Sequence, residues 1–375
     1  MATTGRKLRV ALIFGGRSGE HDVSLASALS VMAYLDPDKY EVLPIGISKA
    51  GTWLPGIGPA ALLSAEQGEA EGAGRQEAES GGTKVAANFP KLRALPGDRL
   101  IAMEERPDVA FPVLHGTYGE DGTLQGLLEM IGIPYVGCGV LGSALGMDKD
   151  KMKILFRSAG LSVVDSLTYR RQDWERFPVR ILDAIEFRLG YPCFIKPANQ
   201  GSSIGVSKAH NRINLEQAIQ LAIQYDSKII AEQTIDCREL ECSVLGNGDP
   251  VASVVGEVIM DHEFYDYEAK YLDDSSHTVV PADIPQETAE EIRRMAIQAF
   301  LALDLSGLAR VDFFLQRETG QIYINEVNTL PSFTPQCMYP KLCAASGLSY
   351  PLLLERLIEL AMERHADRSR NCMSL

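Results

Sequence analysis

The first fifty residues restrict the architecture more than any other part of the chain. LRVALIF (Leu8 to Phe14) is a short, unbroken apolar run, the pattern of a strand buried in a sheet. The loop GGRSGEHDVS follows it. VSLASALSVMAYL then has the apolar period of a helix, and YEVLPIGI returns as a strand. Strand, helix and strand in this order make a βαβ unit of an α/β fold. Further on, PDVAFPVLHG predicts a strand ending at His115, GTYGEDGTLQGLLEMIG a loop and helix, and IPYVGCG another short strand. Residues 1–145 therefore read as an open parallel α/β domain. Residues 51–98 interrupt it. There GEAEGAGRQEAESGGT is rich in Gly, Glu, Ala and Ser, which predicts a partly mobile surface excursion.

With 375 residues the chain has room for two or three domains. Two more segments follow the first. Residues 146–236 read as a small central domain. It holds the helix GMDKDKMKILFRSAG, a strand–loop–strand in YPCFIKPANQGSSIGVSKA, the amphipathic helix NLEQAIQLAIQYDS and the strand KIIAEQTI. Residues 237–375 read as a third. RELECSVLGNGDPVASVVGEV is a hairpin with a GNGD turn. IPQETAEEIRRMAIQAFLALDL carries Ile292, Met295, Ala296, Ala299, Phe300 and Leu303 on one side of a helix, and YPLLLERLIELAMERH predicts a C-terminal helix.

Charge and cysteine usage exclude several function classes. The 36 basic and 50 acidic residues give a net charge of −14, which disfavours broad contact with nucleic acid or an anionic membrane. An anionic small-molecule substrate would need local basic residues. The seven cysteines form no CxxC pair or zinc-ligand spacing and read as reduced thiols of a cytosolic protein. No segment has the length of a membrane span, and the N-terminal apolar run is too short for a secretory signal.

The chemistry concentrates in GLARVDFFLQ–RETG–QIYINEVN. Residues two apart on a strand face the same way, so Arg310 and Asp312 share a face, as do Glu326 and Asn328. A three-residue loop at Glu318 to Gly320 would put Asp312 opposite Glu326 and Arg310 opposite Asn328. Two carboxylates and an amide oxygen would then converge beside a guanidinium. Hard oxygen donors of this kind suit magnesium shared with substrate phosphates. A solvated hairpin edge explains the same spacing about as well.

Weaker signals lie elsewhere. In FIKPANQGSSIGVSK, Lys196 ends an apolar strand before a Gly- and Ser-rich loop that could cradle phosphate oxygens. It is neither a Walker A nor a dinucleotide sequence, and a mobile hairpin tip is the plainer interpretation. Glu232 and Glu239 could accept from an adenine amine and a ribose hydroxyl, or form a surface charge pair. FYDYEAKYLDD has no clean period and reads as a loop, either covering a site or merely packed on the surface. His115 at a strand end and Glu20 in a loop could both be structural.

Taken in order, GGRSGEHDVS, HGTYGEDGTLQG, GMDKD, FIKPANQGSSIGVSK, RELECSVLGN, FYDYEAKY, ARVDFFL and INEVNTLP resemble the D-alanine–D-alanine ligase family of ATP-grasp enzymes over nearly the whole chain. The resemblance implies a three-domain α/β ATP-grasp fold and ligation of two D-alanines through an acyl phosphate in the cytoplasm, for peptidoglycan precursors. It implies ATP contacts by Lys149, Lys196, Ser203 and Lys270. Glu232 and the Gln233 to Ile235 backbone would meet adenine, Glu239 the ribose, and Phe264 and Phe314 would line the pocket. Asp312, Glu326 and Asn328 would hold two magnesium ions, with manganese as a substitute and a monovalent cation left open. Glu20, Ser202 and Tyr271 would latch a lid, Arg310 and the Ser332 N–H would stabilise the oxyanion, and His115 and Cys337 would meet the substrates. A homodimer is expected, with no nucleic acid and no membrane insertion. Two departures stand out: the family usually has glycine at Ser332 and serine at Cys337. A D-lactate or D-serine ligase, or a non-catalytic nucleotide-binding protein, are the competing expectations.

Overall fold

The computed structural model describes residues 6–72, 106–260 and 276–372. β1 (Leu8–Gly15) lies inside the first sheet, with Val10 to Phe14 fully buried. α1 (His21–Tyr34) crosses over to β2 (Tyr40–Ile47), which pairs parallel with β1. The turn between β1 and α1 demands glycine. At Gly15 φ is +89°, and a Cβ would stand 2.2 Å from the Ile47 carbonyl oxygen. The Gly15 N–H instead donates to Ser24 Oγ at 2.7 Å, tying strand to helix.

β3 (Trp53–Pro55) adds antiparallel to β2, and α2 (Pro59–Gly72) follows with Leu62 buried. The expected surface excursion therefore carries regular secondary structure over much of its first half, to Gly72. Its later part, residues 73–98, lies outside the described residues. β4 (Val109–Pro112) pairs parallel with β1 on the other side, giving the order β3-β2-β1-β4. The strand expected at IPYVGCG reduces to a single parallel bridge between Ala110 and Tyr135. α3 (Thr123–Met130) and α4 (Val140–Met147) lead out of this sheet.

α5 (Lys149–Ser158) starts where Asp148 accepts from the Lys151 N–H. Then come β5 (Ser166–Arg170), α6 (Arg171–Arg176), α7 (Pro178–Leu189), β6 (Cys193–Pro197), β7 (Ser207–Ala209), α8 (Arg212–Tyr225) and β8 (Lys228–Gln233). The strands form an antiparallel sheet in the order β5-β8-β6-β7. Asn211 caps α8 through the Asn214 N–H, and Leu215, Ala218, Ile219 and Ala222 bury its inner face. With α7 they cover one face of the sheet through Ile181, Ile185, Cys193 and Ile195. The alternation in β6 and β8 turns Lys196 and Glu232 to the opposite face.

The third sheet has the order β11-β10-β9-β12-β13 and is antiparallel. Its strands are β9 (Cys237–Gly246), β10 (Val251–Met260), β11 (Ser276–Val279), β12 (Gly307–Gln316) and β13 (Ile322–Asn328). The GNGD turn joins β9 to β10 as expected, with Leu245 opposite Val251. α9 (Gln286–Ala302) buries Ile292, Met295, Ala296, Ala299 and Phe300, with Leu303 just beyond, at the predicted spacing. Each large side chain so buried contributes roughly 1.5–3 kcal/mol. α10 (Met338–Ala345) follows, and α11 (Tyr350–Arg368) returns to the first sheet. Leu353, Leu354 and Leu357 share one core with Val10, Leu12 and Phe111. Among the described residues no helix is long and apolar enough to cross a membrane.

Candidate active site

The register of β12 with β13 brings Asp312 opposite Glu326 and Arg310 opposite Asn328. The expected pairing is present, but the expected three-residue loop is not. Gln316 N–H bonds to the Gln321 carbonyl and Leu315 pairs with Ile322, so Arg317 to Gly320 form a four-residue loop. A bulge between Ile324 and Glu326 takes up the extra residue and restores the pairing. The bulged Asn325 turns its carbonyl to Lys153 Nζ at 3.1 Å.

Arg310, Asp312 and Glu326 on this hairpin each meet an opposite charge. Arg310 forks onto Asp312 at 2.7 and 2.8 Å and lies 3.1 Å from Glu241, which β9 presents opposite Asp312. Burial opposes the guanidinium charge, but Asp312 and Glu241 outweigh it and hold Arg310 well above its ordinary value. Lys149 Nζ reaches Glu326 at 3.1 Å and the Gln200 carbonyl at 3.0 Å. Asn328 Oδ1 accepts from the Leu330 N–H at 3.1 Å. The donor set suits a hard cation: two carboxylates and an amide oxygen, with Asp312 and Glu326 14% and 30% exposed. Among the described residues no three His, Cys, Asp or Glu side chains form a closed metal cluster. A cation here would complete its shell with phosphate and water.

A second cluster lies on the open face of the central sheet. Glu232 opposes Phe194, which puts it diagonal to Lys196, 2.7 Å from Lys196 Nζ. Its other oxygen is 2.9 Å from Lys153 Nζ. Burial alone would raise the Glu232 carboxyl; the two ammoniums reverse this and hold it at about 2. Beyond Glu232 the chain leaves β8 through Gln233, Thr234 and Ile235. Glu239 on β9 pairs with Phe314 on β12, so the residue assigned to the ribose lies beside one assigned to the base pocket. Phe264, Lys270 and Tyr271 lie outside the described residues.

The SSIG loop leans on the first domain. Ser202 Oγ donates a short hydrogen bond to Glu20, and Gly19 is within 3.0 Å of Ile204 when given a Cβ. Ser202 and Ser203 both take left-handed backbone, φ 49° and 57°. Nearby, His115 is buried. Its Nδ1 is 2.9 Å from the Leu330 carbonyl and must carry the proton, while Nε2 is 3.3 Å from Ser27 Oγ. Burial pushes its pKa down against the pull of Glu20. Ser27 Oγ also accepts from the Phe333 N–H, and Glu120 accepts from the N–H groups of Gly116 and Leu330. The half-buried Ser332 thus sits in a segment anchored on both sides. Cys337 precedes α10, with its thiol 3.1 Å from Thr334 Oγ1.

Sequence reasoning missed Lys153, Glu120 and Glu241. Each had a signal: Lys153 falls one helical turn after Lys149, Glu241 two residues after Glu239, and Glu120 inside a glycine-bounded loop.

Two family profiles match, D-ala D-ala ligase N-terminus over residues 9–138 and D-ala D-ala ligase C-terminus over residues 155–359. A D-alanine–D-alanine ligase of Acetivibrio thermocellus is 48% identical over 97% of this chain and 98% of its own length. One from Ruminiclostridium cellulolyticum is 50% identical over the same shares. Among solved structures, the VanG D-Ala:D-Ser ligase from Enterococcus faecalis has a TM-score of 0.80 at 38% identity, covering 95% of this chain and 100% of its own. The D-alanine–D-alanine ligase from Coxiella burnetii has a TM-score of 0.77 at 34% identity, covering 97% and 96%. A likeness of this extent, on an ATP-grasp fold whose use of ATP and a divalent metal is general to the group, identifies the chain as a member of the D-alanine–D-alanine ligase family.

Proposed function

We propose that the chain is an ATP-dependent D-alanine–D-alanine ligase that makes the dipeptide through an acyl phosphate, for peptidoglycan precursor synthesis in the cytoplasm. The observation that carries the proposal is the β12–β13 pairing, which gathers Arg310, Asp312, Glu326 and Asn328 beside Lys149. A mere nucleotide-binding module has no use for a half-buried guanidinium next to a cation site.

The domains 1–145, 146–236 and 237–375 would divide the work. Glu232 accepts from the adenine amine, with the backbone of Gln233 to Ile235 alongside, Glu239 takes the ribose, and Phe264 and Phe314 flank the base. Lys149, Lys196 and Lys270 neutralise the phosphates, and Ser203 lies in the loop that covers them. Asp312, Glu326 and Asn328 would hold two magnesium ions, or manganese in their place. Such ions supply positive charge that offsets the repulsion between a substrate carboxylate and a phosphate. A monovalent cation is a further proposal of family likeness alone, as is a homodimer.

Glu20 meets the ammonium of the first D-alanine and His115 its carboxylate. Arg310 and the Ser332 N–H point at the developing oxyanion, where one donor is typically worth ~100- to 1000-fold in rate. Cys337 meets the second carboxylate. An acyl phosphate hydrolyses in water, so the Ser202–Glu20 contact, with Tyr271 as third partner, acts as a latch that excludes it.

The similarity to a D-Ala:D-Ser ligase structure keeps one rival in view. Phosphate release from ATP should appear with D-alanine alone and yield the dipeptide by mass. A product containing D-serine or D-lactate in preference to D-alanine would overturn the proposal.

A further inference from the structure

α5 carries a second lysine one turn after Lys149, and the ligation chemistry above does not use it. Lys153 is 1% exposed. An ammonium is costly to bury unless it is paired and hydrogen-bonded. Lys153 has a partner on each flank: the Glu232 carboxylate at 2.9 Å and the Asn325 carbonyl at 3.1 Å. The first belongs to the central sheet. The second is the carbonyl exposed by the β13 bulge, one residue before Glu326. With Lys149 on Glu326, one face of α5 thus holds both the base-side carboxylate and the cation-side hairpin.

We propose that Lys153 is a positioning residue for base selection: with Lys196 on the other side, it fixes the Glu232 carboxylate as a pure acceptor aimed at an exocyclic amine. A carboxylate has about four lone-pair sites. Two ammoniums take one each, so acceptor capacity remains and there is no proton to donate. A base with a carbonyl at that place would set acceptor against acceptor. The inference rests on the adenine assignment of Glu232.

Calorimetric titration of ADP and of IDP without added metal, on the full-length protein, tests it. Wild type should prefer ADP. Lys153→Met should lose about tenfold in ADP affinity, the worth of one good hydrogen bond, and most of the ADP-over-IDP preference. Lys153→Arg, which keeps a donor cation, should recover part of that preference. Glu232→Gln should behave like Lys153→Met, and the double variant should be no worse than Glu232→Gln alone. A structural role would lower ADP and IDP binding alike, and a wild-type ratio in Lys153→Met overturns the inference. So does a further tenfold loss in the double variant. If Glu232→Gln keeps the preference, the adenine assignment fails and takes the inference with it. If Glu232→Gln loses it while Lys153→Met does not, the inference fails alone. Should Lys153→Met not fold, Glu232→Gln against the double variant decides: equal ADP and IDP affinities support the inference, and a further tenfold loss of ADP in the double variant overturns it.

Discussion

Cys337 and Thr334 share a contact of 3.1 Å at the position proposed to meet the second carboxylate. A thiol is a weaker donor than a hydroxyl. Cys337→Ser should therefore lower the Michaelis constant for the second D-alanine by about two- to tenfold, the range of one hydrogen bond, with the ATP constant unchanged. Steady-state kinetics on the pair would measure it, and identical D-alanine constants would remove Cys337 from the subsite. The hairpin carboxylates make a sharper case. Asp312→Ala leaves Arg310 still beside Glu241, and Glu326→Ala leaves Lys149 on the Gln200 carbonyl, so neither strands a cation. Both variants should fold, yet lose at least about 100-fold in turnover, because cation stabilisation of the transferred charge is worth several kcal/mol. Near-normal phosphate release at ordinary magnesium would contradict the cation site. These carboxylates could be found in the sequence because the strand period sets Asp312 beside Arg310 and Glu326 beside Asn328, and the hairpin brings the two sets together. Lys153 and Glu120 carried only a local signal of position, and their roles were not legible because their partners Glu232 and Leu330 lie 79 and 210 residues away in the chain.

Elements were legible where one periodicity persisted. α9 buries the face its apolar spacing marks out, and the β12–β13 pairing is the expected one. The details were legible only in part. Period-two counting cannot see a bulge, and here the longer loop and the bulge offset one another, so the right register followed from the wrong turn. α2 was hidden because its sequence is Ala-, Glu- and Gly-rich and offers too few apolar residues to show a period. The SSIG loop was legible as a loop but not as a strained one. Ser202 and Ser203 at positive φ carry a cost of order 1 kcal/mol each, held in place by the Ser202–Glu20 bond. A segment held by few contacts is poised to open. Amide exchange over residues 201–206 should slow markedly with ATP and a phosphorylated inhibitor bound, and Ser202→Ala should quicken it in the free protein. Equal exchange with and without ligands would exclude a gate here.

Across the whole molecule, the N-terminal domain and the segment after β13 meet at a buried polar joint. Glu120 accepts from Gly116 N–H at 2.5 Å and from Leu330 N–H at 3.1 Å, while His115 holds the Leu330 carbonyl. The N–H and the carbonyl of Leu330, two residues before Ser332, thus both depend on side chains of the N-terminal domain, and apolar packing of α11 against β1 and β4 reinforces the joint. Burial pushes the Glu120 carboxyl up to about 8, and Glu20 adds to the rise. The two N–H bonds and the charge of Lys149 oppose it without prevailing, and neutral His115 adds no charge. The folded value lies above the ordinary carboxylate value, so the folded state keeps a proton that the unfolded chain releases between about 4.5 and about 8. This group's contribution to stability therefore falls as pH rises through that window. Glu120→Gln cannot release a proton, but one of its two amide atoms can no longer accept. Near pH 5 it should melt below wild type by the worth of one buried hydrogen bond, ~1 kcal/mol. Towards pH 8 the gap should close or reverse, because wild type then bears the cost of a buried charge. Thermal melts of both proteins across this range test the joint, and a constant gap would mean that Glu120 does not titrate between the two states.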